Sequence, residues 1–158
     1  MIDRSLNYGR HLIHKFLAGV NNFRTVLDIG AGQGTDLFLA KKINSEAFLY
    51  AVELNPEYIR HLREKSISVY ELDIEHQRLP FTNSSVDVVI ANQVLEHTKE
   101  IFWIFHEITR VLRIGGITII GLPNLASFHN RILLLIGRQP SQIKTNSAHI
   151  RGFTKEDF

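Results

Sequence analysis

Residues Val26 to Thr35 read V-L-D-I-G-A-G-Q-G-T, and no other stretch limits the fold so tightly. A short apolar run leads into three glycines at alternate positions, Gly30, Gly32 and Gly34, and then into the helix-like Asp36 to Ile43. The order predicted is strand, tight turn, helix. In an open parallel sheet such a first turn lies at the carboxyl end of the strand, where ligands bind. The glycines tolerate positive φ and let the backbone approach a ligand with no Cβ in the way. The helix N-terminus beyond them supplies free N–H groups. A bare glycine pattern also describes a turn with no ligand, so the weight rests on the residues downstream of the loop.

At 158 residues the chain fits one domain. Its 44% hydrophobic and 22% charged residues, with a mean hydropathy of -0.03, are those of an ordinary globular protein. It has no cysteine, which excludes disulfides, thiolate catalysis and Cys-ligated zinc and fits a cytoplasmic setting. Met1 to Arg10 is polar where a secretion signal needs an apolar stretch. No apolar run approaches the roughly 20 residues of a membrane span. The net charge of +2 is too small an excess to argue for nucleic acid, although the sequence pI is about 9.0.

The spacing of the glycines and acids separates two ligand classes. A dinucleotide fold wants G-x-G-x-x-G, and its third glycine position is here Thr35. The loop reads D-x-G-x-G-x-G instead, with Asp28 inside the strand. That acid would repel a pyrophosphate and suits a ligand carrying an ammonium group. Ala47 to Leu54 reads as a second buried strand closed by Glu53, with Asn55 and Pro56 opening a helix. An acid at that tip can accept ribose hydroxyls. Ile67 to Ile74 reads as a third strand with Asp73 near its end, and Val86 to Gln93 as a fourth, nearly all apolar as a strand covered on both faces should be. Three successive strands each carry an acid towards the carboxyl tip.

This set of features resembles the class I S-adenosylmethionine-dependent methyltransferases. It is continuous from Val26 to Pro123: the glycine loop, Glu53, Asp73, the N-Q-V-L-E-H at Asn92 to His97, and the R-V-L-R-x-G-G before a fifth strand at Ile117 to Leu122. V-L-E-H is similar to that of small-molecule O- and C-methyltransferases, the type 11 and type 23 groups. The Asn-Pro-Pro-Tyr of many base and amide methyltransferases is absent, which disfavours nucleic acid. The resemblance implies an α/β, Rossmann-like, doubly wound and mostly parallel sheet with helices on both faces. It implies S-adenosylmethionine as cofactor and S-adenosylhomocysteine as product. Cofactor contacts are expected from Asp28, Gly30, Ala31, Gly32, Gly34, Glu53, Leu54, Asp73, Ile74 and Asn92, with Glu53 on the ribose, Asp73 on the adenine amino group and Ile74 on the ring. His97 and Glu96 are the candidate catalytic groups, as general base if the acceptor is a hydroxyl, with His129 and His149 candidates by their proximity in the chain alone. Two other readings stay open: a non-catalytic module binding the cofactor or a nucleoside, and an NAD-dependent oxidoreductase, opposed by Thr35 and Asp28.

The remaining segments complete the plan of residues 1–24 as an N-terminal helix, 25–123 as a cofactor-binding core and 124–158 as a substrate-side or lid segment. Leu12, Ile13, Phe16 and Leu17 predict an amphipathic helix over Leu6 to Val20. Lys99 to Leu112 predicts a core-facing helix ended by Gly115-Gly116, with Trp103 and His106 off its apolar stripe. Asn124 to Gly137 predicts another helix, and Thr154 a helix start. Members of the resembled family end with two further strands, often an edge hairpin, which this sequence does not reach. An exposed sheet edge and self-association are therefore expected. No pair among the eight histidines has a reliable ligand spacing, His11 and His14 lacking a third partner, so no metal is expected. From Ile108 to Lys155 there is no Asp or Glu, while Arg110, Arg113, Arg131, Arg138, Lys144, Arg151 and Lys155 fall inside. The acceptor is expected to be a small anionic molecule, phosphorylated, carboxylated, or linked to a lipid or glycan.

Overall fold

The computed structural model describes residues 9–20, 22–140, 143 and 148–157. Its elements run α1 (Arg10–Ala18), β1 (Thr25–Ile29), α2 (Thr35–Ile43), β2 (Phe48–Val52), α3 (Pro56–Glu64), β3 (Ser68–Tyr70), β4 (Val86–Asn92), α4 (Ile101–Val111), β5 (Leu112–Gly121) and α5 (Phe128–Leu135), with one 3-10 turn at Leu95–His97. The sheet order is β3-β2-β1-β4-β5 and every pairing is parallel. The chain steps outward from β1 to β3, then returns to place β4 on the other side of β1. The order reverses there, so a crevice opens at the carboxyl ends of β1 and β4.

Alternation along the strands feeds two cores. Leu27 and Ile29 of β1 and Val89 and Ala91 of β4 point to one face, where Ile101, Ile104, Ile108 and Val111 of α4 cover them. Val26, Val88 and Ile90 point to the other, under Ile13 and Leu17 of α1, Leu37 and Ala40 of α2 and Leu62 of α3. Helices therefore lie on both faces of a buried parallel sheet, the doubly wound α/β arrangement expected. Only half of the α1 stripe is used. Ile13 and Leu17 are buried, whereas Leu12 and Phe16 stay exposed. The predicted start of this helix at Leu6 lies outside the described residues, as do Lys144 and most of the Ser141 to Ser147 segment.

Four boundaries differ from expectation for local reasons. Gly115-Gly116 does not end α4. The helix stops at Val111, and the glycines lie within β5, where the register against β4 jumps from Val86↔Leu112 to Val88↔Ile117. Gly115 takes φ 77° in that bulge, and a Cβ on Gly116 would come within 2.8 Å of the Asp87 carbonyl oxygen. Glycine here makes room for a strand irregularity. β3 closes at Tyr70, so Asp73 sits in the turn beyond the strand. The 124–137 helix begins only at Phe128. Thr154 opens a turn in which Asp157 accepts its N–H, with no helix assigned over the described residues.

At the amino end of the sheet two buried acids are paired. Asp87 Oδ2 accepts the N–H groups of Arg24 at 2.6 Å and Thr25 at 2.8 Å and the Thr25 hydroxyl at 2.8 Å, while Arg113 pairs with Oδ1. Glu107, fully buried on α4, accepts from the Leu79 N–H at 2.8 Å and from Arg110 Nη2 at 2.6 Å and Nε at 2.8 Å. The Arg110 guanidinium also donates to the Leu79 and Phe81 carbonyls, tying the β3–β4 loop to α4. Burial alone would raise the Asp87 pKa, but the Arg24 and Thr25 donors and Arg113 outweigh it and hold it low. Hydrogen bonding from Arg110, reinforced by the Leu79 N–H, overcomes burial and holds Glu107 low as well.

Candidate active site

The glycine loop leaves β1 under tight control. Gly30 and Ala31 donate their N–H groups to the Val52 carbonyl at 2.8 and 3.3 Å, latching the loop onto the end of β2. Gly30, Gly32 and Gly34 all have left-handed φ, at 68°, 53° and 77°. A Cβ on Gly30 would strike Val94 Cγ2 at 2.6 Å, whereas one on Gly32 would meet nothing within 4 Å. The loop is thus packed from below at Gly30 and bare above Gly32, where a ligand can approach its backbone.

Glu53 holds this loop. Its Oε2 accepts the Gly32 N–H at 2.7 Å, and Oε1 accepts those of Leu54 and Asn55 at 2.8 and 2.9 Å. An ionised carboxylate has about four acceptor positions, so roughly one remains, on Oε2. Asp73 is likewise engaged: Oδ1 accepts the Glu75 N–H at 2.9 Å, and Oδ2 lies 2.8 Å from His76 Nδ1. The hydrogen bond from His76 holds its pKa low, and the same contact raises that of His76.

A cavity of about 280 Å³ opens between these groups, lined among others by Gly30, Glu53, Leu54, Asp73, Ile74 and His97. Six of the twelve expected site residues therefore share one concavity, drawn from the ends of β1 and β2 and the turns after β3 and β4. Asp28, Ala31, Gly32, Gly34, Asn92 and Glu96 are not among its lining. Asn92 is turned inward: its Nδ2 donates to Asp36 Oδ2 at 3.0 Å, and its Oδ1 is buried without a partner against Gly121. Asp36, whose Oδ1 takes Arg10 Nε at 3.0 Å, is a site-flanking acid that sequence reasoning passed over. Its only signal was an acid in the first turn after the loop. Asp28 is buried beside it. Desolvation, then repulsion from Asp36, raises its pKa well above the carboxylate range, against the opposing pull of Arg10.

Gln93 and Glu75 also went unread. Gln93 lines the cavity with a left-handed φ of 60°, an unusual state for a residue other than glycine. Glu75 Oε2 accepts the N–H groups of Lys99 and Glu100, anchoring the start of α4. On the other side of the 3-10 turn, Glu96 is wholly buried, and neither of its carboxylate oxygens has a hydrogen-bond partner. Burial raises its pKa, against the lowering influence of its own backbone N–H and, less, of His97 and His149. His149 had no positional claim beyond its place in the chain, yet its ring lies 4.7 Å from that of His97, centroid to centroid. His129, its companion candidate, is exposed on α5.

The site combines open glycine backbone, an acid at the end of β2 with one free acceptor position, a second acid one strand further out, and a buried acid beneath the loop. An α/β sheet with that loop at its switch point is a Rossmann-like, nucleotide-binding class of fold. Residues 27–120, more than half of the chain, match the methyltransferase domain family, and the chain belongs to that family. It is 34% identical over 108 residues to the arsenite methyltransferase of Halobacterium salinarum, covering 65% of this chain and 28% of that protein. It is 32% identical over 104 residues to a malonyl-[acyl-carrier protein] O-methyltransferase of Herminiimonas arsenicoxydans, covering 66% and 39%. The chain thus spans well under half the length of these relatives. The crystal structure of a SAM-dependent methyltransferase from Archaeoglobus fulgidus superposes with a TM-score of 0.69 at 21% identity, over 98% of this chain and 70% of that one, which supports the fold. S-adenosylmethionine is the cofactor of this family, and the described groups fit it.

Proposed function

We propose that this chain binds S-adenosylmethionine across the carboxyl ends of β1 and β2 and supports methyl transfer to a small-molecule acceptor. The observation that carries the reading is the convergence of Gly30, Glu53, Asp73 and His97 on one cavity beside the bare backbone of Gly32. Glu53 receives a ribose hydroxyl at its remaining acceptor position, Asp73 and Ile74 hold the adenine end, and Asp28 stands under the ammonium end. The sulfonium supplies an already activated methyl group, so the protein's task is to align an acceptor and exclude water. His97, at the rim of the cavity, is placed to take a proton from an acceptor hydroxyl.

The acceptor we propose is anionic, on a reduced set of cations. Arg110 and Arg113 are committed to Glu107 and Asp87 at the amino end of the sheet, far from any acceptor. Arg151 donates to the Thr98 carbonyl at 3.2 Å and the Lys99 carbonyl at 2.8 Å, and Arg131 to the Ala126 carbonyl at 2.9 Å. With Arg131 and Arg151 held on carbonyls, Arg138 and Lys155 are the further cations described on the substrate side. Lys155 lines a second cavity of about 350 Å³, with Leu122, Pro123, Asn124 and Phe153, at the end of β5. A carboxylate or phosphate there would meet Lys155 at the end of the acid-free run from Ile108, with Glu156 and Asp157 following it. Calorimetry with S-adenosylhomocysteine and with NAD tests the cofactor assignment: binding of the first and not the second is expected, and the reverse would overturn it.

A further inference from the structure

Three side chains, of which only His97 reaches the cofactor cavity, gather where the chain's last described segment crosses the 3-10 turn. Glu96, His97 and His149 each offer a ligand atom, and these atoms all lie within 4.8 Å of one another. We propose that they form a binding site for a divalent first-row transition ion, zinc foremost, with one coordination position left open.

Four observations support it. First, Glu96 is fully buried, and both carboxylate oxygens lack any hydrogen-bond partner. An ionised carboxylate left unpaired in such a place is strongly disfavoured, and a bound cation offsets that penalty. Second, His97 Nδ1 lies 3.1 Å from the Ala148 carbonyl oxygen. A carbonyl can only accept, so Nδ1 carries the proton and Nε2 keeps its lone pair. This is the arrangement in which a metal-binding histidine is oriented by an outer hydrogen bond. Third, the segment that brings His149 is fastened in place. The Glu96 carbonyl accepts the N–H groups of Ile150 at 2.8 Å and Arg151 at 3.2 Å, and Leu125 donates its N–H to the Phe153 carbonyl at 2.7 Å. Fourth, the donor set is two imidazoles and one carboxylate, which suits zinc and its neighbours and is a poor match for magnesium or calcium.

Bonds of about 2.0–2.1 Å at tetrahedral angles require ligand atoms about 3.4 Å apart. The donors must draw in, and His149, half exposed outside the regular elements, is the member that moves. Three protein ligands leave a fourth position for water or a substrate oxygen, as in catalytic rather than structural sites. His97 also lines the cavity of Glu53 and Asp73, so an acceptor hydroxyl or carboxylate is the ligand class for that position; with the ion bound, the His97 lone pair is spent on it, and the ion takes over from His97 as the group that eases release of the hydroxyl proton to solvent. This last step rests on the methyl-transfer reading; the ion site itself does not. The sequence hid the site because His149 lies far along the chain from His97, with no recognisable ligand spacing.

The test uses chelator-treated protein titrated with Zn(II) by calorimetry and with Co(II) by visible absorption, whose intensity reports coordination geometry. One ion per chain is expected. His149→Ala and Glu96→Gln should each weaken it at least about 100-fold, the upper end of what even outer-shell losses cost. His149→Ala replaces a half-exposed side chain, so it serves if Glu96→Gln fails to fold. His106→Ala, on the outer face of α4 where the ring stacks on Trp103, should bind as the parent does. No uptake by the parent, or uptake that ignores His149→Ala, overturns the site. S-adenosylhomocysteine is titrated in parallel. Binding of it without the ion leaves the cofactor assignment standing and removes the metal, and ion binding without it does the reverse.

Discussion

The two ends of this sheet treat buried acids in opposite ways. At the amino end, Asp87 and Glu107 are enclosed and supplied with backbone and arginine donors, and their pKa values are held low. At the carboxyl end, Glu96 has no partner for either oxygen, Asn92 Oδ1 has none, and Asp28 and Glu96 have raised pKa values. Burial is similar, and what differs is satisfaction. A buried polar group with all its partners stabilises the fold, and one without them is a candidate for a ligand to complete. The difference separates scaffold from site with no reference to relatives.

The sharpest way to break this comparison is at Glu107. Removing it in Glu107→Ala strands the Arg110 charge and the Leu79 N–H together, and loss of one partner of a buried pair costs about 3–5 kcal/mol. That is a large share of a domain's typical stability. Urea unfolding should show it, and a loss under about 1 kcal/mol would mean the pair is not structural. The two ends also differ in sign with pH. Asp87 and Glu107 have folded pKa values below the unfolded carboxylate values of about 4, so their contribution is complete above that pH and is lost as pH falls through it. Asp28 and Glu96, with raised values, act the other way and penalise the folded state as pH rises through their folded pKa. Glu107→Gln should therefore flatten the acid limb of the stability curve, and Glu96→Gln should not.

Next in size is Glu53→Ala. It removes the proposed ribose acceptor and also releases the Gly32 N–H, so S-adenosylhomocysteine affinity should fall by about 1–3 kcal/mol, roughly 5- to 150-fold. Unchanged affinity by calorimetry would remove Glu53 from the cofactor site. Stability should change little, because this acid is at the lip of the sheet. Affinity lost in the Glu53 variant and stability lost in the Glu107 variant would set the two ends of the sheet apart by measurement.

A third variant should move stability upward. Glu96→Leu replaces a buried, unpartnered carboxyl with an apolar group of similar size, and exchanging such a group for one needing no partner is neutral or stabilising, here by about 1–2 kcal/mol. The measurement is thermal unfolding with a chelator present, which excludes any bound ion. A clear destabilisation would show that Glu96 has a structural partner after all, and the two ends would no longer differ.

The fold was legible because its signals are local and dense. The glycine loop, the alternating β1 and β4 residues and the apolar stripe of α4 each arise from nearest neighbours along the chain. Gly115-Gly116 misled because a glycine pair after a helix fits a helix end as well as a strand bulge. Only the pairing of β4 with β5 decides between them. Asp87 is a charge in an apolar strand, but its partners Arg24 and Thr25 lie at the start of another strand. Glu107 and Arg110 were readable as an i, i+3 pair, though not their grip on Leu79. Of the three acids read towards the strand ends, Glu53 and Asp73 share one cavity, and Asp28 is buried outside its lining. The Glu96–His97–His149 cluster was not legible, since it depends on how the segment after α5 returns over the 3-10 turn.

The smallest effect concerns Asp73, the site acid whose satisfaction is intermediate. Its Oδ2 is shared with His76, whose pKa is raised by that hydrogen bond and by the carboxylate's charge. If Asp73 receives the adenine amino group, His76 competes for the same oxygen, and most strongly while protonated. As pH rises through the raised His76 value the imidazolium loses its proton, the pair weakens, and S-adenosylhomocysteine affinity should rise. Both side chains are largely exposed, so the gain is bounded by the worth of an exposed ion pair, no more than about fivefold. His76→Ala should bind at the high-pH level throughout and lose the pH dependence, while salt should mimic deprotonation by screening the pair. Calorimetry across the histidine range checks both. Affinity that is flat with pH in the parent, or equally steep in His76→Ala, would place the adenine away from Asp73 Oδ2 and put this acid among those serving its own turn.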